Sequence, residues 1–171
     1  PKILFFDIET SPVMADVWSL WNNNVGLNQI HRDWFMLSWA AKWLGESEVF
    51  YDDLFRKLQP PYEDDLPIIC TLWDMLDRAD IIVGHNLKKF DNKKFKARCL
   101  YHGITPPSSY RMIDTLSIAK QEFALTSNKL DFLATHLGLA NKVHHEGHQL
   151  WVKCIAGVKE AWDIMEEYNK Y

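Results

Sequence analysis

At 171 residues the chain is long enough to bury a core without disulfide staples and short enough to be read as one domain, residues 1–171. Hydrophobic residues at 47% and charged residues at 25% exclude a disordered or fibrous polymer. The net charge of −4 excludes recognition of a phosphate polymer by overall charge, so any nucleic-acid contact must come from a local basic patch. Cys70, Cys99 and Cys154 are odd in number and widely spaced, which fits reduced thiols. There is no secretory h-region and no apolar run of about 18 residues. The expectation is a soluble, intracellular, cytoplasmic protein without a membrane partner.

"KILFFDI", residues 2–8, is a continuous apolar run of strand length closed by the turn signal "TSP", which predicts a central strand covered on both faces. "DVWSLW", "FMLSWAAKWLG" and "EVFYDD" are rich in β-formers and are predicted as the antiparallel side of a mixed sheet, with "NNNVGLNQIHRD" as a loop. After the paired prolines of "QPPYEDD", the spacing of Leu66, Ile69, Leu72, Trp73 and Leu76 predicts a helix.

"IIVGHN" reads as a short strand ended by glycine. The following segment reads as a helix that buries Phe90, Phe95, Cys99 and Leu100 and stops at Gly103. "YRMIDTL" adds a strand, and the remainder to "VKEAWDIMEEYNKY" is helical. Strands first, then alternating strands and helices, predict an α/β layer fold with a mixed sheet and ligand chemistry at its strand ends.

Asp7 and Glu9 lie two apart on the first strand, so they share a face and sit roughly 6 to 7 Å apart. Two carboxylates are tolerated ionised on a buried strand when divalent cations neutralise them. A polar strand end facing water explains them equally well. Asp91 falls in the first turn of a helix after "VGHN", where a carboxylate gains from the helix dipole even without a ligand. Asp114 ends another strand and is the fallback ligand. Tyr168 and Tyr171 lie on the last helix, where tyrosines more commonly pack in a core.

Lys88, Lys89, Lys93, Lys94, Lys96 and Arg98 make a basic helix suited to phosphate contacts or simply a solvated face. Trp18, Trp21, Trp34 and Trp39 are candidate stacking platforms, with core packing as the ordinary alternative. His144 and His148 lack the Glu placement of a zinc HExxH motif, so no zinc site is expected.

"FDIET", "GHNLKKFD" and the late Tyr-containing helix together resemble, in order, the three exonuclease motifs of the DEDD superfamily of 3′ to 5′ exonucleases, which includes polymerase proofreading domains. The resemblance covers essentially the whole chain. It implies a ribonuclease-H-like fold, with a five-stranded mixed sheet flanked by helices. It further implies that Asp7, Glu9 and Asp91 hold two Mg²⁺ or Mn²⁺ ions, with Asp7 bridging, and that Tyr168 orients the attacking water.

His85, Asn86, Lys88, Lys89 and Lys93 become the expected nucleic-acid contacts. The implied substrate is a single-stranded or frayed 3′ end, DNA before RNA. The family's last motif is Y-x-x-x-D. Counted from Tyr168, its aspartate falls one residue beyond Tyr171, so the fourth acid is absent and weak or no activity is expected of this chain. A frame starting at Tyr171 is the alternative. The "YN" of Tyr168 matches the Y-N-x-x-D form of phage and bacterial relatives, which makes a phage gene one source. Two other functions stay open: a nucleic-acid-binding module with impaired catalysis, and a ribonuclease-H-like endonuclease.

Overall fold

A computed structural model describes residues 1–21, 23–139 and 146–170. Strand β1 (Ile3–Thr10) leads into an arm built on a small ribbon, β2 (Met14–Ala15) with β3 (Ile30–Arg32). The chain returns as β4 (Met36–Trp43), pairs it with β5 (Phe50–Asp53), and continues through the short helix α1 (Leu54–Lys57) into α2 (Leu66–Asp77). Then follow β6 (Ile81–Gly84), α3 (Asp91–Tyr101), β7 (Arg111–Asp114), α4 (Thr115–Glu122), α5 (Leu130–His136), α6 (His148–Ile155) and α7 (Lys159–Lys170).

The five-stranded sheet has the order β5-β4-β1-β6-β7. β4 runs antiparallel to both β1 and β5, whereas β6 is parallel to both β1 and β7. This is the mixed, helix-flanked, ribonuclease-H-like sheet expected. No described helix is long and apolar enough to cross a membrane.

β1 is central, but it is not covered on both faces as its apolar run predicts. Leu4, Phe6 and Ile8 are buried, while Phe5 is 40% exposed and Asp7 is also exposed. Alternation of side chains across the pleat therefore separates a core face from an open face, and the acids lie on the open one. The core face packs with Trp39 of β4, Ile69 and Leu72 of α2, and Phe95 and Cys99 of α3. The Trp39 indole N–H donates to the Ile68 carbonyl at 3.0 Å, which seats α2 on that face. In α2, Ile68 and Met75 are buried where Leu66 and Trp73 are expected, and Leu66 stays exposed.

"DVWSLW" is not a strand. It forms the tip of the arm, where Trp18 is 99% and Trp21 81% exposed, because the two-residue β2 is too short to carry pairing that far. "NNNVGLNQIHRD" is not wholly loop, since it contains a 3₁₀ turn at Leu27–Gln29 and β3.

Arg98 departs from the predicted basic face. Its guanidinium is buried and makes a two-pronged pair with Asp65, each contact 2.7 Å. Asp65 also accepts from the Met36 amide at 2.7 Å and contacts His102 Nε2 at 2.6 Å. A charge at the start of α2 thus ties β4 to α3. Leu100, expected in the core, is 82% exposed.

Candidate functional site

Beyond Phe5, paired with Val83, the parallel strands β1 and β6 part company. At Gly84 an added Cβ would stand 3.1 Å from the Phe6 carbonyl oxygen, so glycine permits this close departure. Asn86 then adopts φ 68°, a left-handed conformation that asparagine tolerates better than most residues. Its carbonyl accepts from the amides of Lys89 and Phe90, and the Asn92 amide returns to the Leu87 carbonyl. This tight turn delivers Asp91 as the first residue of α3, beside the end of β1.

Asp91 is 2% exposed, and its Oδ1 accepts the Ile8 amide N–H at 3.2 Å. Burial first, and then the negative charge of Asp7, push its carboxyl up to about 7. Asp7 and Glu9 stand opposite Ala40 and Ser38 on the open face of β1, and the register shifts immediately after Glu9. Glu9 is half-buried, and its charge together with burial and Asp53 raises the Cys154 thiol on α6 to about 12, burial being the largest cause.

α7 closes over the same end of the sheet. Asn169 donates from Nδ2 to Asp7 Oδ2 at 3.1 Å and accepts at Oδ1 from the Ser38 hydroxyl at 2.9 Å. Tyr168 makes an edge-to-face contact with Trp151 at 5.9 Å between centroids. A cleft of about 400 Å³ opens here, with Phe5, Asp7, His85, Leu130, Tyr168 and Lys170 in its walls.

The structure therefore brings Asp7, Asp91, His85 and Tyr168 to one end of the sheet. His85 has both ring nitrogens engaged, Nδ1 with the Thr115 hydroxyl at 3.0 Å and Nε2 with the Asn128 carbonyl at 2.9 Å. A carbonyl can only accept, so Nε2 carries the proton and His85 fastens the turn to α4 and the segment before α5.

Asp114, the fallback ligand, is occupied otherwise. Its Oδ1 accepts from the amides of Asn86, Leu116 and Ser117, and its Oδ2 from Lys88, at 2.9 to 3.2 Å. Burial acts upward on its carboxyl, but these amides outweigh it and hold it below the ordinary range. It is an N-cap for α4 and a brace for the Asn86 turn.

The side chains of Lys88, Lys89 and Lys93 are exposed, whereas Lys94 lies 3.6 Å from the Trp34 ring centroid. Trp39 is buried and provides no platform. Tyr171 and His144 lie outside the described residues.

Asp7, Glu9 and Asp91 offer only hard oxygen donors, and a buried carboxyl raised by a neighbouring carboxylate is relieved by a divalent cation of the Mg²⁺ or Mn²⁺ type. In donor type these residues match that group. Among the described residues, the set whose ligand atoms all lie within 4.8 Å of one another is not the three acids of β1 and α3 but Asp64, Asp65 and His102. There the Arg98 guanidinium already supplies the compensating positive charge to Asp65.

Ser38 reads as an ordinary strand serine and is not singled out by sequence patterning, whereas Asn169 enters the sequence reading only as the asparagine of the "YN" pair, without a contact to Asp7.

No family model matches the sequence. Protein NEN2 of Arabidopsis thaliana is 34% identical over 76 residues, which is 43% of this chain and 15% of that protein. Protein NEN3 of the same plant is 32% identical over 75 residues, with the same two coverages. The match thus spans 15% of the length of these curated relatives. In structure, the family B DNA polymerase from the hyperthermophilic archaeon Pyrobaculum calidifontis superposes with a TM-score of 0.65 at 14% identity. That likeness covers 99% of this chain and 23% of the polymerase chain, and it is a likeness of fold.

Proposed function

We propose that this chain is a divalent-metal-dependent nuclease that removes nucleotides from the 3′ ends of nucleic acid, with single-stranded or frayed DNA ends preferred over RNA. The observation that carries the reading is the buried Asp91 carboxyl held against Asp7 where β1 meets the start of α3. The fold shared with a DNA polymerase supports it.

In this reading Asp7, Glu9 and Asp91 hold two Mg²⁺ or Mn²⁺ ions. Bound metal would supply an activated water and neutralise charge growing on the phosphate. The chain's own groups do the rest. Asp7 and Asp91 fix where positive charge is retained, the Tyr168 hydroxyl orients the attacking water, and His85 and Asn86 hold the turn on which Asp91 sits. Lys88, Lys89 and Lys93 draw the phosphate backbone towards the cleft through long-range attraction. The exposed indoles of Trp18 and Trp21 offer faces for unpaired bases.

The test is a 5′-labelled single strand incubated with the chain and Mn²⁺. At most slow stepwise shortening by the wild type, its loss in Asp7→Ala, and resistance of a 3′-blocked strand are expected. Internal cuts in the blocked strand would make the chain an endonuclease. Binding without any cleavage would leave a nucleic-acid-binding module.

A further inference from the structure

Asn169 is 6% exposed and Ser38 fully buried, so a polar pair is enclosed between α7 and β4, where it needs a reason to be. The Ser38 hydroxyl has one proton, and at 2.9 Å it goes to Asn169 Oδ1. That places the amide hydrogens of Asn169 towards Asp7 Oδ2 at 3.1 Å. The reversed amide would set its oxygen against a carboxylate, so the charge on Asp7 and the hydroxyl of Ser38 select the same orientation. Ser38 also stands directly opposite Glu9 in the β1–β4 register, while Asp7 is opposite Ala40. The pair therefore reaches the first acid from the position of the second.

We infer that Ser38 and Asn169 form a positioning relay that sets the orientation of the Asp7 carboxylate for cation binding. The inference rests on the reading of Asp7 as a cation ligand. A hydrogen bond from a fixed amide to one carboxylate oxygen restricts rotation of the group and biases how it meets an ion, as partners behind metal ligands generally do. Asn169 is also the residue after Tyr168, so the same contact fixes the last turn of α7 and with it the height of the tyrosine above the cleft.

A pin between helix and sheet would have the same contacts, and the test must separate the two roles. Mn²⁺ binding to the whole chain is measured from the paramagnetic resonance of free Mn²⁺, for wild type, Asp7→Ala, Asn169→Leu and Ser38→Ala. Tm is recorded for each in EDTA.

Asn169→Leu is expected to weaken Mn²⁺ binding about ten-fold. Ser38→Ala, which leaves the helix side chain in place but frees its amide to turn, is expected to weaken it about three-fold. Wild-type Mn²⁺ affinity in both variants, with only a lower Tm, would overturn the relay. Unchanged Mn²⁺ binding in Asp7→Ala would overturn it too. Asn169-dependent Mn²⁺ binding by a chain that shortens no strand would uphold the relay while removing the nuclease reading.

Discussion

The amide of Ile8 and the carboxylate of Asp91 meet at 3.2 Å, joining the middle of the first strand to the first residue of a helix that begins long after it in the chain. A backbone donor is thus spent on holding a buried acid next to Asp7. Burial and then the charge of Asp7 push the Asp91 carboxyl upward, and the consequence is a measurable dependence on pH and metal.

In EDTA, Asp91 keeps its proton in the folded protein up to about 7, whereas unfolded chain releases it near the ordinary value of about 3.9. Between those values the folded state binds more protons, so stability falls as pH rises and the contribution is gone above 7. The Tm of the metal-free wild type is expected to drop between pH 5 and 8 more steeply than that of Asp91→Asn. Added Mn²⁺ is expected to raise the wild-type Tm more at pH 8 than at pH 5. Parallel pH curves for the two proteins would contradict the assignment.

Arg98 belongs to the architecture. Arg98→Ala leaves Asp65 charged and buried, and is expected to cost about 3 to 5 kcal/mol in urea unfolding. Lys89→Ala and Lys93→Ala, at exposed positions, are expected to leave stability within about 0.5 kcal/mol. Each should weaken nucleic-acid binding and flatten its salt dependence. A stable Arg98→Ala protein with impaired binding would reverse these roles.

Asp114→Ala removes the acceptor of four backbone amides and is expected to destabilise the chain by about 2 kcal/mol. Its Mn²⁺ affinity at a temperature where it remains folded should stay near that of wild type. Loss of Mn²⁺ binding as complete as in Asp7→Ala would restore Asp114 as a ligand.

Trp18→Ala and Trp21→Ala alter side chains that bury almost nothing, so unfolding should be unchanged. If bases stack on these indoles, single-strand affinity falls by about 1 to 3 kcal/mol per platform removed, and indole fluorescence is quenched on binding in the wild type. Unchanged affinity in the double variant would assign the arm another purpose.

Much of this is legible in the sequence alone. The apolar run of β1, the glycine after "IIV" and the helix starting at Asp91 are local signals, and each element forms where its own residues dictate. What local pattern misses is decided by distant partners. The basic run around Lys93 shows nothing of Asp65, so Arg98 reads as one more surface cation until the pair is seen. Asp114 and Asp91 look alike at strand and helix ends. They differ because four amides converge on Asp114, while a second carboxylate converges on Asp91. "DVWSLW" has the composition of a strand, but among the described residues its backbone pairing with Gln29 stops at Asp16, and composition cannot extend it.

Where the arm leaves β1 and returns to β4, the Ser11 amide donates to the Phe35 carbonyl and the Phe35 amide donates to the Ser11 hydroxyl. Near the return, Arg32 pairs with Glu63 at 3.2 Å and Trp34 lies under Lys94 of α3, so the base of the arm is fastened while Trp18 and Trp21 stay exposed. Because the entropy of closing a loop grows only slowly with its length, the excursion can be shortened, extended or exchanged at small cost to folding. The fold thereby carries an appendage whose outer residues can be exchanged while the carboxylates stay where they are.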